Sequence, residues 1–275
     1  MRFAKAHGTG NDFVVLPDPD GELDLTPAAV VALCDRRTGI GADGVLRVVR
    51  SAKDPDGAGM ADVAEWFMDY RNSDGSLAEM CGNGVRVFAR YLVEGGLAAP
   101  DGLTVATRAG VVTAEVGPDL IAVDMTGTAV RGVGRTAVDG RTYTGTVVTA
   151  GNPNLVITLP DEAALRAVDL SRPPLLAPAD FPNSANVEFI VPATPIDGAD
   201  AHVSMRVYER GAGETLSCGS GACAVAAAVI DAAGRDAGTV IVDVPGGRLT
   251  IVIGPGSCRL TGPAVIVATG ETHLI

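Results

Sequence analysis

Lysine and histidine are scarce in this chain. Of its 21 lysine and arginine residues only two are lysines, Lys5 and Lys53, and it has three histidines. Enzymes that use pyridoxal phosphate hold it through a lysine Schiff base, and the Asp-, Pro- and Gly-rich surroundings of Lys53 are typical of a loop. The histidines show neither HxxxH nor HxH spacing, which argues against a zinc site. We therefore expect neither a metal nor pyridoxal phosphate.

Long apolar runs are also missing, and no secretion signal is expected. No stretch of about 18 apolar residues is present, so no transmembrane helix is expected, and the N-terminal MRFAKAHGTGNDF lacks the apolar core of a signal peptide. The net charge of −12 disfavours nucleic acid and anionic membranes as partners. Five cysteines without a CxxC pair predict reduced thiols and a cytoplasmic location.

The length of 275 residues suits two domains of about 130 residues each. Thr26 before a proline predicts a helix over Pro27–Asp35, and the apolar spacing in Val85–Leu92 predicts a second helix buried on one side. Turn residues within alternating runs predict hairpins around Gly117–Asp119 and Pro245–Gly247. The pattern indicates a strand-rich α/β protein with few, mostly short helices.

An internal repeat divides the chain. The segment Cys81-Gly82-Asn83-Gly84 has a counterpart in Cys218-Gly219-Ser220-Gly221, and the two cysteines are 137 residues apart (218 − 81). A Gly-Asn pair precedes an apolar run in each half, at Gly10-Asn11 and Gly151-Asn152. Gene duplication explains such a repeat. We expect a pseudo-twofold axis and two Cys-Gly-x-Gly segments that face each other across a cleft.

One Cys-Gly-x-Gly segment by itself allows two interpretations. A cysteine at the start of a helix lies near the partial positive charge of the helix N-terminus, which lowers a thiol pKa. The glycines let backbone N–H groups approach an anionic ligand. The alternative is a buried cysteine that merely packs at the helix start.

Two copies favour catalysis. Two sulfurs on opposite sides of one carbon can remove a proton from one face and return a proton to the other, provided that one is a thiolate and the other a thiol. Two helix N-termini would stabilise the negative charge that develops on the substrate carboxylate. Such a reaction requires no cofactor.

Four motifs resemble those of the diaminopimelate epimerase family, and the resemblance runs from residue 3 to about residue 270. They are Phe3-x-Lys5-x-His7-Gly8-x-Gly10-Asn11-Asp12-Phe13, Gly39-Ile40-Gly41-Ala42-Asp43-Gly44, Asn72-x-Asp74-Gly75-Ser76 ahead of Cys81, and Tyr208-Glu209-Arg210-Gly211-x-Gly213-Glu214-Thr215 ahead of Cys218.

The resemblance implies an enzyme that converts LL-2,6-diaminopimelate to the meso isomer, for lysine and peptidoglycan precursors. Cys81 and Cys218 would be the acid and base, and Glu209 would help at the reacting end. Backbone N–H groups would hold the reacting carboxylate, at Gly82, Asn83, Gly219 and Ser220. Side chains would bind the rest of the substrate, from Asn11, Asn72, Asn152, Asn186 and Arg210.

The resemblance also implies the architecture. We expect two pseudo-symmetric domains, 1–117 with 262–275 and 118–261, each a curled mixed sheet around a central helix. The active site would lie in the cleft between them. Family members are commonly homodimers, so a homodimer is expected, with the small substrate as the other partner.

Two positions depart from the family pattern. The family usually has Gly-Asn-Pro-His where this chain has Asn154 in place of the histidine, and an amide cannot exchange a proton near neutral pH. Many members have Gln where this chain has Gly44. Two alternative functions stay open: a racemase or epimerase of another amino acid, such as proline or hydroxyproline, and a non-catalytic binding or thiol-redox protein.

Overall fold

The computed structural model describes residues 1–125 and 127–274. It divides into two compact units: unit 1 consists of Met1–Val123 with Gly262–Ile275, and unit 2 of Asp124–Thr261. The domain boundaries expected from the sequence are 1–117 with 262–275 and 118–261. They stay a prediction.

Strands dominate both units. The described residues form four α-helices: α1 (Pro27–Cys34), α2 (Gly82–Glu94), α3 (Glu162–Ala167) and α4 (Gly219–Ala232). The strands of the first half are β1 (Arg2–Gly8), β2 (Asn11–Pro17), β3 (Gly44–Arg50), β4 (Trp66–Asn72), β5 (Leu103–Thr107), β6 (Gly110–Val116) and β7 (Leu120–Met125). Those that follow are β8 (Thr128–Val138), β9 (Arg141–Ala150), β10 (Asn152–Thr158), β11 (Leu175–Leu176), β12 (Asn186–Pro192), β13 (Ala201–Glu209), β14 (Gly213–Thr215), β15 (Gly238–Val244), β16 (Gly247–Gly254), β17 (Ser257–Pro263) and β18 (Val265–Glu271).

The predicted local elements are present. The α1 helix starts where Thr26 accepts a hydrogen bond from the Ala29 N–H at 3.2 Å, with a proline in its first turn. The predicted helix over Val85–Leu92 is the centre of α2. The predicted hairpins are β6–β7 and β15–β16, both antiparallel. These predictions are confirmed. They could be made from the sequence because each depends only on neighbouring residues.

The strand order repeats between the units. In unit 1 the paired strands run β18-β1-β2-β3-β4-β5-β6-β7, parallel at β2–β3 and β4–β5 and antiparallel elsewhere. In unit 2 they run β8-β9-β10-β12-β13-β15-β16-β17, parallel at β10–β12 and β13–β15. Each parallel pair is joined by a chain segment that contains a helix, because parallel neighbours need a crossover connection. These helices are α1 and α2 in unit 1, and α3 and α4 in unit 2. The sequence repeat is thus a repeat of topology.

Each unit is built around its longest helix. The α2 helix contacts β1 to β6 and β18, and α4 contacts β8, β9, β10, β12, β13, β15 and β16. Ten of the 13 residues of α2 and ten of the 14 residues of α4 are buried. The prediction that the second helix is buried on one side is wrong, because strands surround α2 and every residue of Gly82–Arg90 is buried. The expected strand-rich mixed sheet around a central helix is therefore confirmed in both units. No helix among residues 1–125 and 127–274 is both long and apolar enough to cross a bilayer.

Candidate active site

The two cysteines of the repeat occupy the same backbone position. Cys81 is the N-cap of α2 and Cys218 is the N-cap of α4, both with extended φ and ψ. Each sulfur accepts a hydrogen bond of 3.4 Å from the N–H three residues on, at Gly84 and Gly221. A thiol thus takes the role that Ser or Asp plays at most helix starts. The first N–H groups of any α-helix have no acceptor within the helix, so a helix start suits an anion.

Cys81 lies half-buried among asparagine side chains. Its thiol donates to Asn11 Oδ1 at 3.6 Å, and the same oxygen accepts from Asn83 Nδ2 at 3.3 Å. Asn83 Oδ1 in turn accepts from the guanidinium of Arg86 at 3.0 Å, and Arg86 is completely buried in the first turns of α2. The structure therefore brings three of the predicted residues, Asn11, Cys81 and Asn83, into one hydrogen-bonded group.

Asn11 is fixed from behind by charged groups. Its Nδ2 donates to Asp43 at 2.8 Å, and Arg36 bridges Asp43 and Asp12 at 2.7 and 2.8 Å. Lys5 completes the network at 2.6 Å from Asp12. Burial alone would raise the pKa of Asp12, but hydrogen bonds from Arg36 and Lys5 outweigh burial and hold this pKa far below its ordinary value. This network orients the amide that touches Cys81.

Asn72 and Gly44 are register partners on β4 and β3. The Asn72 side chain donates to Ser76 Oγ at 3.0 Å. A Cβ atom on Gly44 would lie 2.6 Å from the Arg71 carbonyl oxygen and 2.8 Å from the Tyr70 ring, so a side chain at Gly44 needs a backbone shift. The position that often carries Gln in the family thus has no room for one here.

Cys218 is buried and its thiol is held among polar atoms. Ser220 Oγ lies 3.5 Å from the sulfur, and Asn186 Nδ2 lies 3.9 Å away. Burial raises the pKa of Cys218 well above its ordinary value, and the carboxyl groups of Glu209 and Glu188 raise it further. The N–H of Gly221 lowers the pKa of Cys218, as expected at a helix start, but burial and the two acids outweigh it.

Asn186 organises the remaining predicted residues of unit 2. It donates to Asn154 Oδ1 at 3.0 Å and accepts from the Arg210 backbone N–H at 2.9 Å. Asn154 is fully buried and donates to the Asn152 carbonyl at 2.7 Å. The position that carries histidine in the family thus holds an amide that links Asn152 to Asn186.

Glu209 and Arg210 follow at the end of β13. One carboxylate oxygen of Glu209 accepts a short hydrogen bond from the Thr215 hydroxyl. The exposed Arg210 guanidinium donates to the Asn183 carbonyl at 3.1 Å. Arg210 therefore keeps donor groups at the surface.

One residue that sequence reasoning missed is Glu188 on β12. It is fully buried, and neither carboxylate oxygen has a hydrogen-bond partner among the described residues. Burial raises the pKa of Glu188 well above its ordinary value, with a further contribution from Glu209. The available signal was a single acid inside the otherwise apolar run Val187–Val191.

The remaining thiols lie in the cores. Cys34, Cys223 and Cys258 are buried, and burial raises the pKa of Cys34 to about 11. Within residues 1–125 and 127–274, no cluster of three or more His, Cys, Asp or Glu side chains is arranged to hold a metal.

Comparison with solved structures defines the class of fold. A phenazine biosynthesis protein of the PhzF family from Bacillus anthracis superposes with a TM-score of 0.74 at 17% identity, covering 99% of this chain and 98% of that one. A probable proline racemase from Agrobacterium radiobacter superposes with a TM-score of 0.63 at 15% identity, covering 100% and 93%. The chain therefore has the fold of the proline racemase and PhzF proteins, with a cysteine at the start of each central helix.

Sequence comparison narrows this class to one family. The family model described as diaminopimelate epimerase matches residues 3–132 and 146–275. A diaminopimelate epimerase from Thermobifida fusca is 54% identical over 279 residues, covering 100% of this chain and 98% of the relative. The chain belongs to the diaminopimelate epimerase family and is an enzyme of the epimerase type.

Proposed function

We propose that this enzyme converts LL-2,6-diaminopimelate to meso-diaminopimelate without a cofactor, with Cys81 and Cys218 as the acid–base pair. The observation that carries the proposal is the matched cap. Each cysteine precedes the central helix of its unit, and its sulfur accepts a 3.4 Å hydrogen bond from the N–H of the glycine three residues on, Gly84 or Gly221. Membership of the diaminopimelate epimerase family supports diaminopimelate as the substrate.

The reaction in this proposal consists of two proton transfers, one on each face of the α-carbon. A thiolate at Cys81 takes the α-hydrogen as a proton, and the electron pair of the broken C–H bond moves onto the adjacent carboxylate. The Cys218 thiol then protonates the opposite face and becomes the thiolate, so the next turnover in the same direction needs a proton returned through solvent. Because the pKa of Cys218 is raised, we assign it the thiol form at rest.

The helix starts stabilise the intermediate in this proposal. An α-hydrogen about ten pK units less acidic than a thiol leaves a mismatch of about 14 kcal/mol. Preorganised N–H donors at developing charge are the strongest offset available to a protein. We assign this role to the backbone N–H groups of Gly82, Asn83, Gly219 and Ser220.

The remaining polar groups hold the substrate in this proposal. Glu209 lies close enough to Cys218 to influence its titration, so we place it at the reacting end. Arg210 suits a carboxylate because guanidinium binds it through two N–H groups. We assign the distal amino-acid end to the amides of Asn11, Asn72, Asn152 and Asn186. A cytoplasmic homodimer in lysine and peptidoglycan precursor synthesis fits this activity.

Hydrogen exchange tests the proposal. The protein is incubated with LL-diaminopimelate in D₂O without added cofactor, and the isomers and their deuterium content are measured. We expect meso product with deuterium at the inverted carbon, and loss of product in Cys81→Ala and Cys218→Ala. Cys223→Ala, which removes a buried thiol from α4, is the matched control and should stay active.

Three outcomes would contradict the proposal. Exchange into proline or hydroxyproline alone would indicate the other racemase function. Binding of diaminopimelate without exchange would indicate a non-catalytic protein. Full activity in either catalytic cysteine variant would exclude the two-thiol mechanism.

A further inference from the structure

The carboxyl group of Glu188 lies against the first turn of α4. On β12, Glu188 is two residues after Asn186, whose amide lies 3.9 Å from Cys218 Sγ. Alternate residues of a strand share a face, so Glu188 and Asn186 both face the helix. A Cβ atom on Gly221 would lie 2.7 Å from Glu188 Oε1 and 3.3 Å from Cys218 Sγ. Glu188 Oε1 therefore lies at most about 6 Å from Cys218 Sγ.

The surroundings of Glu188 favour its neutral form. Both oxygens are inaccessible and have no hydrogen-bond partner among the described residues, and an isolated buried carboxylate is too costly to persist. The titratable groups that face it are Glu209 from β13 and Cys218 ahead of α4, with Cys223 further along that helix. From β10, the register partner Val156 carries no charge.

A purely structural role does not explain an acid at this position. An apolar residue would fill the same space without the desolvation cost, and a polar residue kept for its hydrogen bonds would have partners. What a carboxyl adds is a second group that competes with Cys218 for negative charge. Two anions in one buried space repel each other, as carboxylate pairs do when they share a proton.

We propose that Glu188 is a positioning residue for the epimerase reaction: its buried carboxyl group limits the Cys218 site to one negative charge and so sets how readily Cys218 becomes a thiolate. The inference rests on the proposed role of Cys218. In the resting enzyme Glu188 carries the proton; ionisation of Glu188 at higher pH holds Cys218 in the thiol form.

The test uses Glu188→Gln, which keeps the size of the side chain and removes its titration. The rate of alkylation of each cysteine by iodoacetamide is measured against pH by peptide mass spectrometry. In the variant we expect the Cys218 profile to move to lower pH by about one unit, so that alkylation below the midpoint is about tenfold faster. The Cys81 profile in the same molecules should not move.

Val156→Ala is the matched control, because it removes packing opposite Glu188 without changing charge. It should leave the Cys218 profile in place. The pH dependence of kcat should follow the same pattern, with the limb assigned to Cys218 moving in Glu188→Gln only. An unchanged Cys218 profile in Glu188→Gln, or an equal shift in Val156→Ala, would overturn the inference.

A measurement on the unmodified enzyme covers the case in which Glu188→Gln does not fold. With ¹³C-labelled glutamate carboxyl groups, NMR should show one glutamate that remains protonated at pH 7, and full ionisation of all glutamates would overturn the inference. Failure of the proposed function would give a different result. Cys218→Ala would then still exchange the substrate hydrogen, with either Glu or Gln at position 188.

Discussion

The starts of α2 and α4 share one backbone geometry and differ in their charges. Both present a cysteine N-cap with a 3.4 Å hydrogen bond to its sulfur. Around Cys81 the buried ionisable group is a cation, Arg86, whereas around Cys218 it is an acid, Glu188. The residue 137 positions after Arg86 (86 + 137) is Cys223, which has no guanidinium. The two halves of the repeat share the cap and differ in their electrostatics.

This difference suits two cysteines that must hold different protonation states. A reaction that moves a proton across a carbon needs one base and one acid at the same pH. Identical surroundings would give two equal thiols. Burial beside two carboxyl groups raises the pKa of Cys218. Cys81 is half-buried and contacts Asn11, whose carbonyl oxygen also accepts from Asn83, and Asn83 is bonded to Arg86. In the proposed mechanism this asymmetry of charge makes Cys218 the acid and Cys81 the base.

Removal of the buried cation should have the largest effect on stability. Arg86 donates to Thr9 Oγ1 and Asn83 Oδ1 at 3.0 Å, and to the carbonyls of Gly82 and Pro263 at 3.3 Å. Arg86→Met removes all four of these hydrogen bonds to neutral acceptors, so we expect a loss of about 3–5 kcal/mol in unfolding free energy. Urea denaturation checks this value. Cys223→Ala at the equivalent position should cost less, and an equal loss in both variants would contradict the comparison.

Alanine at the two equivalent glycines should separate the helix starts next. A Cβ on Gly221 meets Glu188 Oε1 at 2.7 Å, whereas on Gly84 the nearest atom is Leu46 Cδ2 at 3.4 Å, an ordinary contact. We expect Gly221→Ala to cost about 1–3 kcal/mol by overpacking. Gly84→Ala should be neutral or slightly stabilising, because alanine favours helix by about 1 kcal/mol. Thermal unfolding of both variants measures the contrast, and similar melting temperatures would show that Glu188 does not crowd α4.

The pH dependence of stability should have opposite signs in the two units. The pKa of Glu188 is raised by burial on folding, so the wild type loses stability as pH rises above about 4.3, the ordinary pKa of Glu. The unfolding free energy of Glu188→Gln should therefore rise relative to that of the wild type as pH rises, by at most about 1.4 kcal/mol per pH unit.

Asp12 should behave in the opposite way. Its pKa is lowered on folding, so its contribution is complete above about 3.9, the ordinary pKa of Asp, and is lost as pH falls below that. Asp12→Asn should be less stable than the wild type at pH 7, and this gap should narrow in acid. Urea unfolding at a series of pH values between about 3 and 8 measures the unfolding free energy of both variants relative to the wild type. The same sign in both would remove the electrostatic contrast.

Local sequence predicted the frame of the site well. Thr26 with its proline, the turn at Gly117–Asp119 and the repeated Cys-Gly-x-Gly segment act over a few residues, where capping, turn geometry and periodicity decide the conformation. The family resemblance located the amides around each cysteine. Neither approach indicated that Glu188 belongs to the Cys218 site, because its contacts come from residues distant in sequence.

The sequence by itself determined the two helix starts, the strand-rich class and the repeat, since each is written in neighbouring residues and their spacing. Only the tertiary structure decided which charges surround each thiol. The parallel pairing of β10 with β12 sets Asn154 beside Asn186 and Val156 beside Glu188, and α4 then covers that face. Burial and Coulomb interactions depend on such distant neighbours, so two nearly identical motifs become chemically different cysteines.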